Sequence, residues 1–111
     1  MGLRVDERGQ DVRVVTVVGE VDSVTAPDLA VVLTAQLATA RLVVVDLDGV
    51  QFFSSAGLHA LIEANELAVR GGRDLRLVCR SRVVNRVLDI SDLRQRFVFI
   101  DHAPDAVDDL P

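Results

Sequence analysis

The feature that most restricts this chain's fold is an alternation along its length. Short runs rich in valine and leucine are separated by stretches in which apolar residues recur at helical spacing. Arg41-Leu42-Val43-Val44-Val45-Asp46 is the clearest of the short runs. It is continuous and β-branched, as in a strand covered on both faces. Residues 3–7 and 12–18 flank Arg8-Gly9-Gln10-Asp11 and predict an opening hairpin, the second strand having valines in both phases. Thr25-Ala26-Pro27-Asp28 then reads as a helix start: Thr25 can cap free amides, Pro27 suits the first turn and Asp28 complements the dipole. This helix runs to about Ala40 with Leu29, Val32, Leu33 and Leu37 inward.

Beyond the loop expected at 47–53, Ser54-Ser55 can cap a second helix carrying Leu58, Leu61, Ile62 and Ala68 or Val69. Gly71-Gly72 ends it by supplying a left-handed residue. Residues 75–79 predict a strand, 81–90 a helix with Val84, Val87 and Leu88 inward, 97–100 a last strand and 104–110 a short final helix. The order is ββαβαβαβα. Such alternation requires right-handed crossovers, so the expected architecture is α/β: a mainly parallel sheet, an antiparallel N-terminal edge strand and about four helices.

The 111 residues suit one domain spanning 1–111. Folding a chain of this size removes roughly 60–70% of its unfolded surface from water, enough to do without metal or disulfide staples. All 12 basic residues are arginine, and they are scattered among 17 acids for a net charge of −5. That balance argues against direct binding of nucleic acid, which needs a basic stripe. Cys79 stands alone, excluding an internal disulfide or a cysteine-based zinc site. The N-terminal residues lack a signal-peptide core, and the most apolar stretch, 29–45, is broken by Thr34, Gln36, Thr39 and Arg41; the expected location is therefore cytoplasmic, without membrane insertion.

In a parallel α/β sheet, loops leaving the carboxyl ends of strands converge and form the usual binding edge. The two such segments here are 19–23 and 46–57. If their strands are neighbours, Asp22, Ser54 and Ser55 lie together, facing the free amides of the helix that begins near Ser55. Enzymatic chemistry is poorly supplied. The chain has two histidines, His59 and His102, and neither Gly-x-Ser-x-Gly, nor a Walker-type loop, nor Gly-x-Gly-x-x-Gly. Glu20, Asp22, Asp46 and Asp48 have no spacing that specifies a cation. A non-catalytic module without cofactor or metal is expected. Phe52 and Phe53 read as core and wall residues, and Cys79 as a small buried hydrophobe.

The same two segments carry a family resemblance. Gly19-Glu20-Val21-Asp22 with Thr25-Ala26 and Leu29 resembles the Gly-Glu-Leu-Asp…Thr-Ala…Leu segment of STAS-domain anti-sigma factor antagonists. Asp46-Leu47, Val50-Gln51-Phe52 and Ser54-Ser55-Ala56-Gly57-Leu58 resemble that family's Asp-Leu…Val-x-Phe-x-Asp-Ser-Ser/Thr-Gly-Leu. Gly71-Gly72 and Val84…Leu88…Ser91-x-Leu93 are similar to its second half. The resemblance implies a bacterial module that binds an anti-sigma factor of the serine kinase type and thereby frees a sigma factor to regulate transcription. It implies Asp22, Phe53, Ser54, Ser55, Ala56 and Gly57 at the partner surface, Phe53 as an apolar contact. In that family the kinase phosphorylates the Ser or Thr just before Gly-Leu, and the added charge breaks the complex. Here that position is Ala56, and Ser54 stands where the family has Asp. Three readings follow: phosphorylation at Ser55 in a shifted register, a constitutively active antagonist controlled by abundance or by a signal such as one at Cys79, or a STAS adaptor subunit of a larger assembly such as a lipid-transport complex or sensory scaffold.

Overall fold

The computed structural model describes residues 1–104. Its strands are β1 (Gly2–Glu7), β2 (Val12–Val21), β3 (Leu42–Phe53), β4 (Asp74–Val78) and β5 (Val98–Phe99). The helices are α1 (Ala26–Leu37), α2 (Ser55–Arg70) and α3 (Arg82–Ser91), followed by a single 3-10 turn at Arg94–Arg96. The strands form one sheet in the order β1-β2-β3-β4-β5; β1 is antiparallel to β2 and every other pair is parallel. The expected architecture is therefore present, with three helices among the described residues. The helix expected at 104–110 lies outside them, apart from Pro104.

Period-two alternation sorts the strand residues onto two faces. Val15, Val17, Val43, Val45, Leu75 and Leu77 pack in one cluster with Leu29, Leu33, Leu61, Val84 and Leu88, so the three helices share one face of the sheet. Val14, Val44 and Val78 point the other way and are covered by Leu42, Ile100 and Ala103. The C-terminal segment is tied across that face: Arg80 donates to the Asp101 carbonyl and Arg8 Nε to the Pro104 carbonyl at 3.1 Å. This double covering explains why valines occupy both phases of β2 and β3. Leu29, Leu33, Leu47, Leu61, Leu77 and Leu88 are completely buried, each contributing about 1.5–3 kcal/mol of transfer free energy.

The largest departure from expectation is where the strands end. β2 and β3 continue through segments read as loops. β4 stops pairing with β3 at Asp46↔Val78, but β2 and β3 stay paired to Val21↔Phe53. Beyond the last β1 pair at Gly2↔Val18, residues 19–21 and 50–53 thus form a two-stranded ribbon projecting from the carboxyl edge. Its ladder slips twice. Thr16 pairs with Asp46 and Val18 with Gly49; Gly19 pairs with Val50 and Glu20 with Phe52. Each slip inserts one extra residue into β3, as β-bulges do. The positions of β3 that face the helices therefore run Val43, Val45, Leu47, then Val50, then Phe53, a spacing that no strict alternation describes. Gly49 sits where the strands approach: a Cβ there would lie 2.7 Å from Val18 Cγ1, and this exposed side chain would have to move.

The helix boundaries follow local chemistry. α1 stops at Leu37, three residues short of expectation, although Ala40 beyond it is fully buried. α2 ends at the glycine pair, where Gly72 has φ +68° and the Arg73 amide donates to Ala68 at 2.8 Å. Ala68 faces inward and Val69 outward. α3 ends on Asp92, whose φ of 59° is left-handed.

Candidate functional site

The ribbon carries Asp22 and Ser54 at the ends of adjacent strands. The Ser54 amide donates to the Val21 carbonyl at 2.9 Å, so the starts of α1 and α2 are held side by side. The expected neighbourhood of Asp22, Ser54 and Ser55 is formed, at the tip of a paired ribbon rather than between two loops.

Asp22 organises the turn into α1. Its Oδ1 accepts from the Val24 and Thr25 amides, each at 2.9 Å, and lies 3.1 Å from the Thr25 hydroxyl. The Asp22 amide donates back to Thr25 Oγ1 at 2.9 Å, and the Asp22 carbonyl accepts from Ala26 at 2.8 Å. The Thr25 amide, followed by the Thr25 hydroxyl, holds the Asp22 carboxyl below the usual carboxylate range, because both bonds favour its charged form. Thr25 does occupy the N-cap position, but its side chain makes no bond to the helix amides. It is engaged by Asp22 instead, whose carboxylate closes the turn ahead of α1 while the Asp22 and Thr25 carbonyls take the first helical amides.

Ser54 is the N-cap of α2, with extended backbone at φ −91° and ψ 173°, and its carbonyl accepts from the Leu58 amide at 3.2 Å. The expected hydroxyl cap is not made. Ser54 Oγ is enclosed and has no hydrogen-bond partner among the described residues. Ser55 is exposed in the first turn, and Ala56 is half-buried beside it. Ala56 borders a shallow cavity of about 230 Å³ between α1 and α2, together with Ser23, Ala26, His59, Ala60 and Glu63. Gly57 is buried against the ribbon: a Cβ there would meet Phe53 Cε1 at 2.7 Å and Val21 Cγ1 at 2.8 Å. Its smallness serves this internal packing of helix on strand.

Phe53, expected as an apolar contact for a partner, is only 5% exposed and belongs to the core. Its neighbour Phe52 is the aromatic that the surface presents, at 49% exposure, with Val18 and Val24 also exposed on the same edge. Alternation contains the reason: adjacent strand residues point to opposite faces, and the two bulges decide which of the pair turns inward. Two further residues, just ahead of α3, support the site. Ser81, 7% exposed, donates from Oγ to the Val50 carbonyl at 2.7 Å and accepts from the Val84 amide at 3.4 Å. Asp48 accepts from the Arg80 amide at 2.7 Å and from its guanidinium at 3.2 Å. Serine ahead of a helix was the only signal for Ser81, and it said nothing of Val50.

The chemistry available here is that of a surface. Among the described residues, no hydrogen bond joins Ser54 or Ser55 to a histidine; His59 is paired with Glu63 at 2.9 Å. Nor does any group of three or more His, Cys, Asp or Glu among them gather closely enough to hold a metal. Asp48 is engaged by Arg80, and Asp46 Oδ1 accepts from the Asp48 amide at 3.0 Å. No described helix is long and apolar enough to cross a membrane. Cys79 is half-buried, and desolvation pushes its thiol up from 9.0 to about 11, so it is protonated at neutral pH. A low-pKa redox switch at Cys79 has no basis in that environment.

Compared with curated protein sequences, the chain matches none. Among solved structures, an anti-sigma factor antagonist from Mycobacterium paratuberculosis is 29% identical over 91% of this chain and 86% of its own, with a TM-score of 0.81. The Bacillus cell fate determinant SpoIIAA in its phosphorylated form is 12% identical over 91% of this chain and 93% of its own, with a TM-score of 0.72. A sulfate transporter family protein from Wolinella succinogenes is 23% identical over 94% and 84%, with a TM-score of 0.65. The last two, at so low an identity, share the fold alone. The STAS domain family profile matches residues 4–106, nearly the whole chain, and with the bulged ribbon and helix start already in place this protein belongs to the STAS domain family.

Proposed function

We propose that this protein is an anti-sigma factor antagonist, which binds an anti-sigma factor of the serine kinase type in the bacterial cytoplasm and releases its sigma factor. The observation that carries this reading is the 29% identical antagonist, which matches 91% of the chain with a TM-score of 0.81. The site supports it. A helix start beside exposed apolar side chains, with no nucleophile–base pair among the described residues, is suited to a protein partner and not to turnover. The partner surface comprises the turn at Asp22 and the α2 start at Ser54, Ser55 and Ala56, with Phe52 taking the apolar role first expected of Phe53. Gly57 acts beneath this surface by letting α2 sit close to the ribbon.

Ala56 separates this antagonist from a phosphorylation-switched one. It has no hydroxyl, and Ser55 is displaced around the helix by about 100°. A kinase aligned on the Ala56 position meets a methyl group, so binding persists and the protein acts as a constitutive antagonist, set by its abundance. The test is incubation of the purified protein with a candidate anti-sigma kinase and ATP, followed by binding measurements and intact mass. Tight binding at unchanged mass is expected. One added phosphate mapped to Ser55, with a weakened complex, would mean that the switch survives in a shifted register. The absence of binding to any candidate kinase would favour the second reading, an adaptor subunit of a larger assembly, for which an acceptor hydroxyl is unnecessary.

A further inference from the structure

The outward face of α3 differs chemically from the rest of the molecule. Between residues 80 and 96, five arginines face only Asp89 and Asp92, so this segment is positive on a chain of net charge −5. Three of those arginines are engaged: Arg80 with Asp48, Arg94 with Asp89 and Arg96 with Glu66. Arg82 and Arg86 are exposed, and neither forms an ion pair or side-chain hydrogen bond among the described residues.

At about 100° per residue, Asp89, Arg82, Arg86, Ile90 and Val83 follow one another within an arc of about 120°. Val84 and Leu88, both fully buried, occupy the opposite side and hold α3 to the sheet. The outward arc therefore contributes nothing to the core. It nevertheless holds Ile90 at 76% exposure and Val83 at 37%. Two guanidinium groups one turn apart, unpaired among the described residues, with two apolar side chains beside them, provide charge and desolvation on one small surface.

We infer that the outward face of α3 is a docking surface for an acidic segment of a partner protein, whose carboxylates engage Arg82 and Arg86 while an apolar side chain covers Ile90 and Val83. Charge complementarity selects an acidic occupant. Nucleic acid and anionic membranes are disfavoured because the acids over the rest of the chain repel an extended polyanion. A ten-residue helix with two exposed apolar side chains is also too sparsely apolar to bury itself in lipid. This surface is independent of the partner chosen for the Ser54–Ala56 site.

The test uses the whole protein and a fluorescein-labelled helical peptide carrying glutamates four residues apart beside leucines, read by fluorescence polarisation. The same peptide with glutamine replacing glutamate is the control. Saturable binding of the glutamate peptide is expected, weakening as salt rises from about 50 to about 300 mM. Paired substitution of Arg82→Glu and Arg86→Glu is expected to weaken it by about tenfold or more, since two attractive pairs become repulsive. Ile90→Gln is expected to weaken it several-fold at constant salt dependence. Arg82→Gln with Arg86→Gln replaces the reversed pair if the latter lowers Tm. Equal affinity for the glutamate and glutamine peptides would overturn the inference, as would binding that the arginine variants leave unchanged. So would arginine-dependent binding to vesicles of phosphatidylglycerol without binding to the peptide.

Discussion

Ser81→Ala tests the claim that α3 anchors the ribbon that carries the site. Ser81 Oγ makes two bonds at once, to the Val50 carbonyl at 2.7 Å and from the Val84 amide at 3.4 Å. The second is long, so loss of the cap falls at the low end of its usual range, about 0.5–1 kcal/mol. The first is short, and Val50 is only 4% exposed. Removing its donor leaves a buried carbonyl short of a partner, which costs about 1–2 kcal/mol. The sum is about 2 kcal/mol. With a urea m-value of about 1.2 kcal/mol/M for a chain of this length, the unfolding midpoint should fall by about 1.5–2 M at unchanged m. Ser81→Thr, which retains the hydroxyl, should recover most of that loss. Native-state hydrogen exchange should show amides of residues 49–53 opening sooner in the alanine variant than those of β4. A midpoint shift below about 0.4 M, or uniform loss of protection across the sheet, would refute the idea that this hydroxyl joins α3 to the ribbon.

Three further outcomes follow from the packing and the backbone geometry. Gly57→Ala should destabilise by about 1–2 kcal/mol by thermal or urea unfolding, because the overpacking of Cβ against Phe53 and Val21 exceeds the roughly 1 kcal/mol that alanine gains in helix propensity; equal or greater stability would show that the ring yields freely. Asp92→Gly should stabilise by about 0.5–1 kcal/mol, read as a rise in Tm, by relieving a left-handed φ of 59° at the end of α3. Cys79 should react with iodoacetamide at pH 8 roughly 10–100-fold more slowly than an unstructured cysteine, since its thiol stays protonated up to about 11. Because this folded value exceeds the ordinary 9.0, the associated stability is intact below pH 9 and declines as pH rises from about 9 towards 11 in wild type but not in Cys79→Ala.

The interior of this fold was readable because burial imposes period. Val43-Val44-Val45 has only one use in an alternating α/β chain, and Leu29, Leu33 and Leu37 could face a sheet only as a helix. The ribbon was not readable, for a related reason. Two extra residues in β3 shift its inward positions from Leu47 to Val50 and then to Phe53, which destroys the alternation by which a strand is recognised. The same slip turned Phe53 into the core and Phe52 out to the surface. Asp22 and Ser54 were found as neighbours by topology alone, but not what they do there: an Asp or Ser at a helix start has several backbone amides within reach, and sequence does not choose among them. Asp22 takes Val24 and Thr25 and leaves Thr25 without a cap to make, while Ser54 takes none. Ala56 is the converse case, a residue whose meaning lies in what it lacks. Its methyl group fits the shallow cavity between α1 and α2 as naturally as a hydroxymethyl group would. Neither packing nor backbone geometry therefore demands alanine here, and the physical difference between the two side chains is one site for a phosphate. Ala56→Ser should accordingly fold as the wild type does, and, if the proposed function holds, should gain one phosphate on that serine when incubated with a candidate anti-sigma kinase and ATP, with loss of the complex. A serine at 56 that remains unmodified beside a bound, active kinase would place the control of this protein elsewhere.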